Sequence, residues 1–401
     1  MKAAWQVKNL GDVCHLIGGG TPPKDNADFY NGNIPWATVR DMRSDIITDT
    51  EYKITELAIK NSSTNIIPSG SVIIATRVGL GKVCLLNQDT AINQDLRGVF
   101  PKDEEKLSTR FLFWWLKSVA GLIVAEGTGA TVQGVKLPFV KSLQIPLPPL
   151  PEQQRIVAIL DEAFEAITAA RANAEHNRQN ARTLFESYLQ SVFSLRGEEW
   201  EKTTLEKVLK VQPQNGWSPP AANHSDSGTP VLTLSSVTGF QFKADKIKFT
   251  SAPTNNMGRY WVKNGDLLIT RSNTPNLVGH VAIASDINQP TIYPDLIMRM
   301  NPDPERVMTE FLYFQLRTPA LRQEIMGRAQ GANPTMKKIS NGAVKTLPIV
   351  VPRLQTQSSI AQSLNQLTIE TQHLESLYQR KIAALDELKQ SLLQQAFSGN
   401  L

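Results

Sequence analysis

The side chains best suited to chemistry sit in two basic, glycine-punctuated loops, GTGATVQGVK at 127–136 and QGANPTMKK at 330–338. Thr131, Gln133 and Lys136 in one, and Asn333, Thr335 and Lys337 in the other, offer hydroxyl, amide and ammonium groups on flexible backbone. Those groups bond phosphate oxygens and base edges; they do not make or break covalent bonds. Arg77 and Arg271 end two apolar runs, where a groove contact or an internal salt bridge would serve. Arg40, in IPWATVRDM, has the same two options. Asn273 could pair bidentately with adenine or cap a turn. Trp36, Trp114 and Trp115 are expected in the core.

The constellations of catalysis are missing. There is no GxxxxGK[ST] loop and no HExxH helix. The Pro-Pro pairs at 22, 148 and 219 follow Thr21, Leu147 and Ser218, so no Asn-Pro-Pro or Asp-Pro-Pro stands ready for a flipped adenine. Gly18-Gly19-Gly20 leads into Thr-Pro-Pro and not into a helix, against a dinucleotide fingerprint. Five histidines are scattered, and Cys14 and Cys84 lie far apart, so no metal site or disulfide framework is expected. No cofactor is expected either.

What must position the loops is a duplication. Shifted by about 200 residues, GSVIIATR (70–77) meets GDLLITR (265–271), and NQDLRGVFP (93–101) meets YPDLIMRMNP (293–302). TRFLFWWLKS (109–118) meets TEFLYFQLRT (309–318), and VKSLQIPLPPLPEQQRIVAILD (140–161) meets VKTLPIVVPRLQTQSSIAQSLN (344–365). The offset is a constant 204 from Pro148 and Pro352 onward but drifts between 194 and 200 upstream. The globular parts therefore tolerate loop insertions and the helical parts do not.

Each copy predicts an α+β domain of short strands (72–76, 267–270) and one helix (108–117, 308–317), followed by a long helix that begins at proline-rich strand exits. The boundaries expected are domains at 1–150 and 197–352 and helices at 151–196 and 353–401. Neither helix contains a proline or glycine after its first residues until Gly197 and Gly399. Apolar residues recur at alternating steps of four and three: Ile156, Leu160, Ile167, Asn177 and Leu184 mark one seam, and Ile360, Leu364, Leu374, Lys381 and Leu388 the other. That is a coiled-coil pattern. Asn177 and Lys381 fall at the same step and would either fix register or be tolerated near solvent. Antiparallel packing of the two helices within one chain would place the two pseudo-symmetric domains at opposite ends of a rod.

Charge agrees with the loops. Domain 1–150 carries 16 Lys/Arg against 14 Asp/Glu and domain 197–352 carries 17 against 13, while the helices are balanced or slightly acidic. The net charge of +5 thus resides in the globular domains, where phosphate contacts belong. No apolar run reaches the length of a membrane span, and the start lacks the apolar core of a signal peptide, so a cytoplasmic protein is expected.

GDVCHLIGGGTPPKDNADFYNGNIPWATVRDM, NQDLRGVFP, IPLPPLPEQQRIVAILD and the C-terminal LKQSLLQQAFSGNL together resemble the specificity subunit of a bacterial Type I restriction-modification system, over essentially the whole chain. The second copy of the proline motif is degenerate, with Arg353 and Thr356 in place of Pro and Glu. The resemblance implies two target recognition domains joined by an antiparallel coiled coil, and double-stranded DNA as ligand. It also implies two copies of a methyltransferase subunit that carry S-adenosylmethionine and the adenine chemistry, with restriction subunits as a possible addition. A free-standing nuclease or methyltransferase and a protein-only coiled-coil scaffold are the rival readings.

Overall fold

The computed structural model describes residues 5–129, 133–195, 197, 199–333 and 335–401. The chain forms two compact units, Met1–Glu175 with Gln379–Leu401, and His176–Tyr378. The division falls inside the two long helices, Leu150–Ser194 and Leu354–Ser398, each of 45 residues and so about 65 Å long.

In the first unit a five-stranded sheet runs in the order Cys14–Gly18, Leu96–Pro101, Val72–Ala75, Val83–Leu86, Ile46–Ile47. Val72–Ala75 is buried at every residue, because the sheet is covered on both faces. Val72 and Ile74 face the helix Thr109–Ser118 with Phe111 and Trp115, while Ile73 and Ala75 pack with Ile67 and Ile92 of a second, four-stranded sheet. The unbroken apolar run VIIA follows from that double burial.

The second unit repeats the plan. Its sheet runs Leu209–Asn215, Ile297–Pro302, Leu267–Thr270, Val281–Ile283, with Leu267 and Ile269 against Phe311 of the helix Thr309–Arg317 and Leu268 against Tyr293 on the other face. In each copy the first strand clasps the last: Gln6–Asn9 pairs with Gln144–Leu147, and Glu201–Thr204 with Pro348–Val351. The chain then turns directly into the long helix, where Pro149 O accepts from the Glu152 and Gln153 amides.

The two helices lie side by side and antiparallel in each unit. In the first, Arg155 donates to Leu401 O (2.8 Å) and Arg171 pairs with Asp386; in the second, Arg182 Nη2 meets Glu375 Oε2 at 2.8 Å.

The seam needs correction beyond its first turns. Ile156, Leu160, Ile167 and Leu364 are buried, and Ile360 and Leu374 half-buried. Asn177, Leu184, Lys381 and Leu388 are exposed, Leu184 by 57% and Leu388 by 46%. Phe185 and Ile382, one residue beyond Leu184 and Lys381, are buried instead, and Leu189 and Leu393 continue the buried face. Gln153 to Leu189 and Gln357 to Leu393 both close on ten turns of an ordinary helix at about 3.6 residues per turn. A heptad repeat falls behind such a helix by roughly 20° per heptad, so four heptads of extrapolation miss by nearly one residue. Asn177 and Lys381 accordingly do not occupy interior, register-setting positions.

Candidate nucleic-acid interface

Both units hold the end of a central strand against the loop that precedes the last strand. In the first unit Arg77 follows Val72–Ala75, and the Thr76 and Arg77 amides donate to Asp95 O (2.8 and 3.3 Å). Arg77 forms a β-bridge with Gly134, Val135 N donates to Thr76 O (2.9 Å), and Thr128 and Gly134 exchange backbone bonds. Thr128 and Gly134 are thus held together beside Arg77. The half-exposed Arg77 guanidinium lies 3.9 Å from Asp95. Arg97, half-buried nearby, is pushed below its ordinary pKa by burial and then by Arg77. Gln133 and Lys136 are exposed. Thr131 lies outside the described residues.

Arg40 is reached differently. Its side chain, 73% exposed, stands 3.8 Å from Glu51 on the rim of a cleft of about 560 Å³ that Gln94 and Asp95 also line. Trp36 is buried, donating to Gly20 O, and Trp114 and Trp115 belong to the core.

In the second unit Ile339 N donates to Arg271 O, and the short strand Ser272–Asn273 pairs with Lys337–Lys338, setting Asn273 opposite Lys337. Arg271 is half-buried; its Nη1 lies 3.5 Å from Asp295 O, and its buried Nε has no hydrogen-bond partner among the described residues. Asn333 and Thr335 are exposed and spend themselves partly on a turn, Asn333 Oδ1 accepting from the Thr335 amide and hydroxyl. Lys337 donates to Gly331 O (2.8 Å).

A further duplicated feature lies outside the residues expected from the sequence. Thr21-Pro22-Pro23 and Ser218-Pro219-Pro220 occupy matching places. The Thr21 hydroxyl donates to Gln94 Oε1, and the Ser218 hydroxyl to Asp295 Oδ1. Gly19 and Gly216, two residues before, lie so close to the Ile92 and Tyr293 carbonyl oxygens that an added Cβ would collide with them. In each unit one glycine therefore lets the chain approach the strand-end turn that carries Asp95 or Asp295. Its signal in the sequence is a hydroxyl-Pro-Pro triplet repeated 197 residues apart, each with a glycine two residues before the hydroxyl. Beside Ser218, Trp217 stacks near Tyr260 with ring centroids 5.2 Å apart.

No group of three His, Cys, Asp or Glu side chains suited to a metal occurs among the described residues. Burial pushes the Cys14 thiol up to about 12 and the Cys84 thiol to about 11, which leaves both as unreactive core groups. No helix among the described residues is long and apolar enough to cross a membrane. The arrangement can bind an anionic, hydrogen-bonding surface at two places, one per unit.

The model of the Type I restriction modification DNA specificity domain matches residues 2–175 and 197–382. The EcoR124I/EcoR124II specificity subunit of Escherichia coli is 36% identical over 168 residues, 40% of this chain and 41% of that one. The MjaIX specificity subunit of Methanocaldococcus jannaschii is 27% identical over 52% of each chain. These matches span about half the length of either relative. The EcoKI specificity subunit of E. coli strain K12 is 23% identical over 99% of this chain and 89% of its own. Among solved structures, a chain from work on assembly and conformational transition of the type I R-M system has a TM-score of 0.80 at 22% identity, covering 100% of this chain and 99% of that one. The HsdS subunit from Thermoanaerobacter tengcongensis gives 0.60 at 21% identity, covering 100% and 98%. At these identities the two structures speak for the fold.

Proposed function

Since the chain belongs to the Type I restriction modification DNA specificity family, we propose that it reads a two-part DNA target and brings a separate adenine methyltransferase to it, with no catalysis of its own. Residues 1–150 and 197–352 act as the two target recognition domains, each reading one half-site. The helices 151–196 and 353–401 set the gap between the reads, about one DNA turn or roughly 34 Å. Two methyltransferase copies dock on the pseudo-symmetric faces, restriction subunits join where the system has them, and the assembly works in the cytoplasm.

One observation carries the reading. Each unit presents a strand-end arginine, Arg77 or Arg271, joined by backbone bonds to a basic loop and standing beside an aspartate turn, Asp95 or Asp295. A duplicated arginine held beside an exposed basic loop is suited to base and phosphate contacts. The two loops share few residues, so the half-sites differ in sequence.

Titration of the full chain with duplex DNA at increasing salt tests this. Affinity should fall linearly on logarithmic axes as phosphate-bound cations release counterions. Absence of binding at every salt concentration would favour a scaffold that engages only proteins.

A further inference from the structure

We propose that Thr238 is a positioning residue that fixes the Asn273 amide to read an adenine in the major groove. The inference rests on the DNA-reading function above and specifies one contact within it. Asn273 ends the short strand opposite Lys337 and is half-buried. Its amide carries two N–H donors and an oxygen with two lone pairs. One N–H goes to Thr238 Oγ1 at 3.1 Å, and one lone pair accepts from the Thr274 amide at 2.9 Å. The Thr238 hydroxyl has already given its proton to Leu234 O at 2.7 Å, so towards Asn273 it can only accept. A flipped amide would set oxygen against oxygen. The orientation is therefore determined by chemistry, and one N–H and one lone pair remain for a ligand.

That pair matches a single base edge. Adenine offers an acceptor at N7 and a donor at N6, whereas guanine offers two acceptors and would oppose the amide oxygen. Thr238 is itself held firmly. The next residue, Gly239, donates its N–H to His280 Nδ1 at 3.0 Å, and Phe240 O accepts from the Tyr313 hydroxyl at 2.5 Å. The Phe240 ring, on backbone at φ 63°, stacks on His280 with centroids 4.0 Å apart. The Arg317 guanidinium covers Phe240 from 5.2 Å. Burial keeps His280 neutral, which leaves the Nδ1 lone pair free for Gly239. In the first repeat the position matching Asn273 is Gly79, with no side chain to read anything. The effect belongs to one half-site alone.

The test is selection from duplexes with a randomised stretch, using the full chain as wild type, Thr238→Val and Thr238→Ser. Wild type should enrich a two-part motif. Thr238→Val should weaken the preference for one A·T pair in one half-site roughly tenfold, within the range of a lost bidentate contact. Every other position should hold, and Thr238→Ser, which keeps the acceptor, should stay within about twofold of wild type. The proposal is overturned if the valine variant keeps the wild-type preference throughout, if the relaxed pair is G·C, or if both half-sites weaken alike. If wild type itself enriches no motif, the DNA-reading function fails first and takes this contact with it.

Discussion

Gln153 and Gln357, 204 residues apart, make the same three hydrogen bonds at the start of their helices. Gln153 accepts from the Ser108 amide (2.9 Å) and donates to Lys106 O and Pro148 O; Gln357 accepts from the Met308 amide (2.8 Å) and donates to Arg306 O and Pro352 O. Both side chains are fully buried. Each ties the proline exit of its domain, the start of the domain's helix and the first turn of the long helix into one rigid joint. Replacing either by alanine strands one N–H and two carbonyls in the interior, at a cost of about 2–4 kcal/mol. Urea unfolding of the full chain should show that loss in each single variant.

A second clamp lies in the first unit and has no counterpart in the second among the described residues. Asp161 accepts from Arg110 Nε and Nη2 (3.2 and 3.0 Å) and from Trp114 Nε1 (2.7 Å), whereas the matching residues 310, 314 and 365 are Glu, Phe and Asn. The pair is about one-third exposed, so solvent screening limits its worth. Asp161→Ala should cost about 1–2 kcal/mol and Asn365→Ala less than about 0.5. Equal thermal shifts in the two variants would refute the asymmetry.

His280 supplies a pH dependence. Its pKa is pushed down to about 4, by burial first and then by the neighbouring Arg322 and Arg317. The unfolded chain, with an ordinary histidine near 6.5, binds the proton first. The stability contributed is therefore whole above pH 6.5 and is lost as pH falls towards 4, at a rate of up to about 1.4 kcal/mol per pH unit. Stability curves at pH 7.5 and 5 should diverge more for wild type than for His280→Gln; parallel curves would remove His280 from the account.

The loops predict a different kind of result. Lys136→Ala and Lys337→Ala should weaken DNA binding evenly across sequences, and each should reduce the slope of log K against log salt by about 1. Arg77→Ala and Arg271→Ala should each relax one half-site and spare the other. Unchanged salt slopes in both lysine variants would place those side chains away from phosphate.

Much of this was legible in the residues, because duplication leaves landmarks that random drift does not. The long helices followed from their freedom from proline and glycine, and the central strands from apolar runs such as VIIA and LLIT. The helix seams were legible only near their starts, where a 3.5-residue and a 3.6-residue period still coincide; Leu184 and Leu388 lie where they no longer do. Pairings across sequence distance were beyond reach. Nothing in the sequence joins Arg77 to Gly134, or Asn273 to Thr238, until the sheets bring them together. Asn333 and Thr335 had the right chemistry, yet an asparagine two residues before a threonine also closes its own turn.

The central claim, that this chain dictates where methylation falls, is tested most directly by mapping methylated adenines in the host genome with the chain present and deleted. Methylation on a two-part motif with a fixed gap, lost on deletion and restored by the intact chain, is the predicted result. Methylation that is unchanged by the deletion would contradict the account.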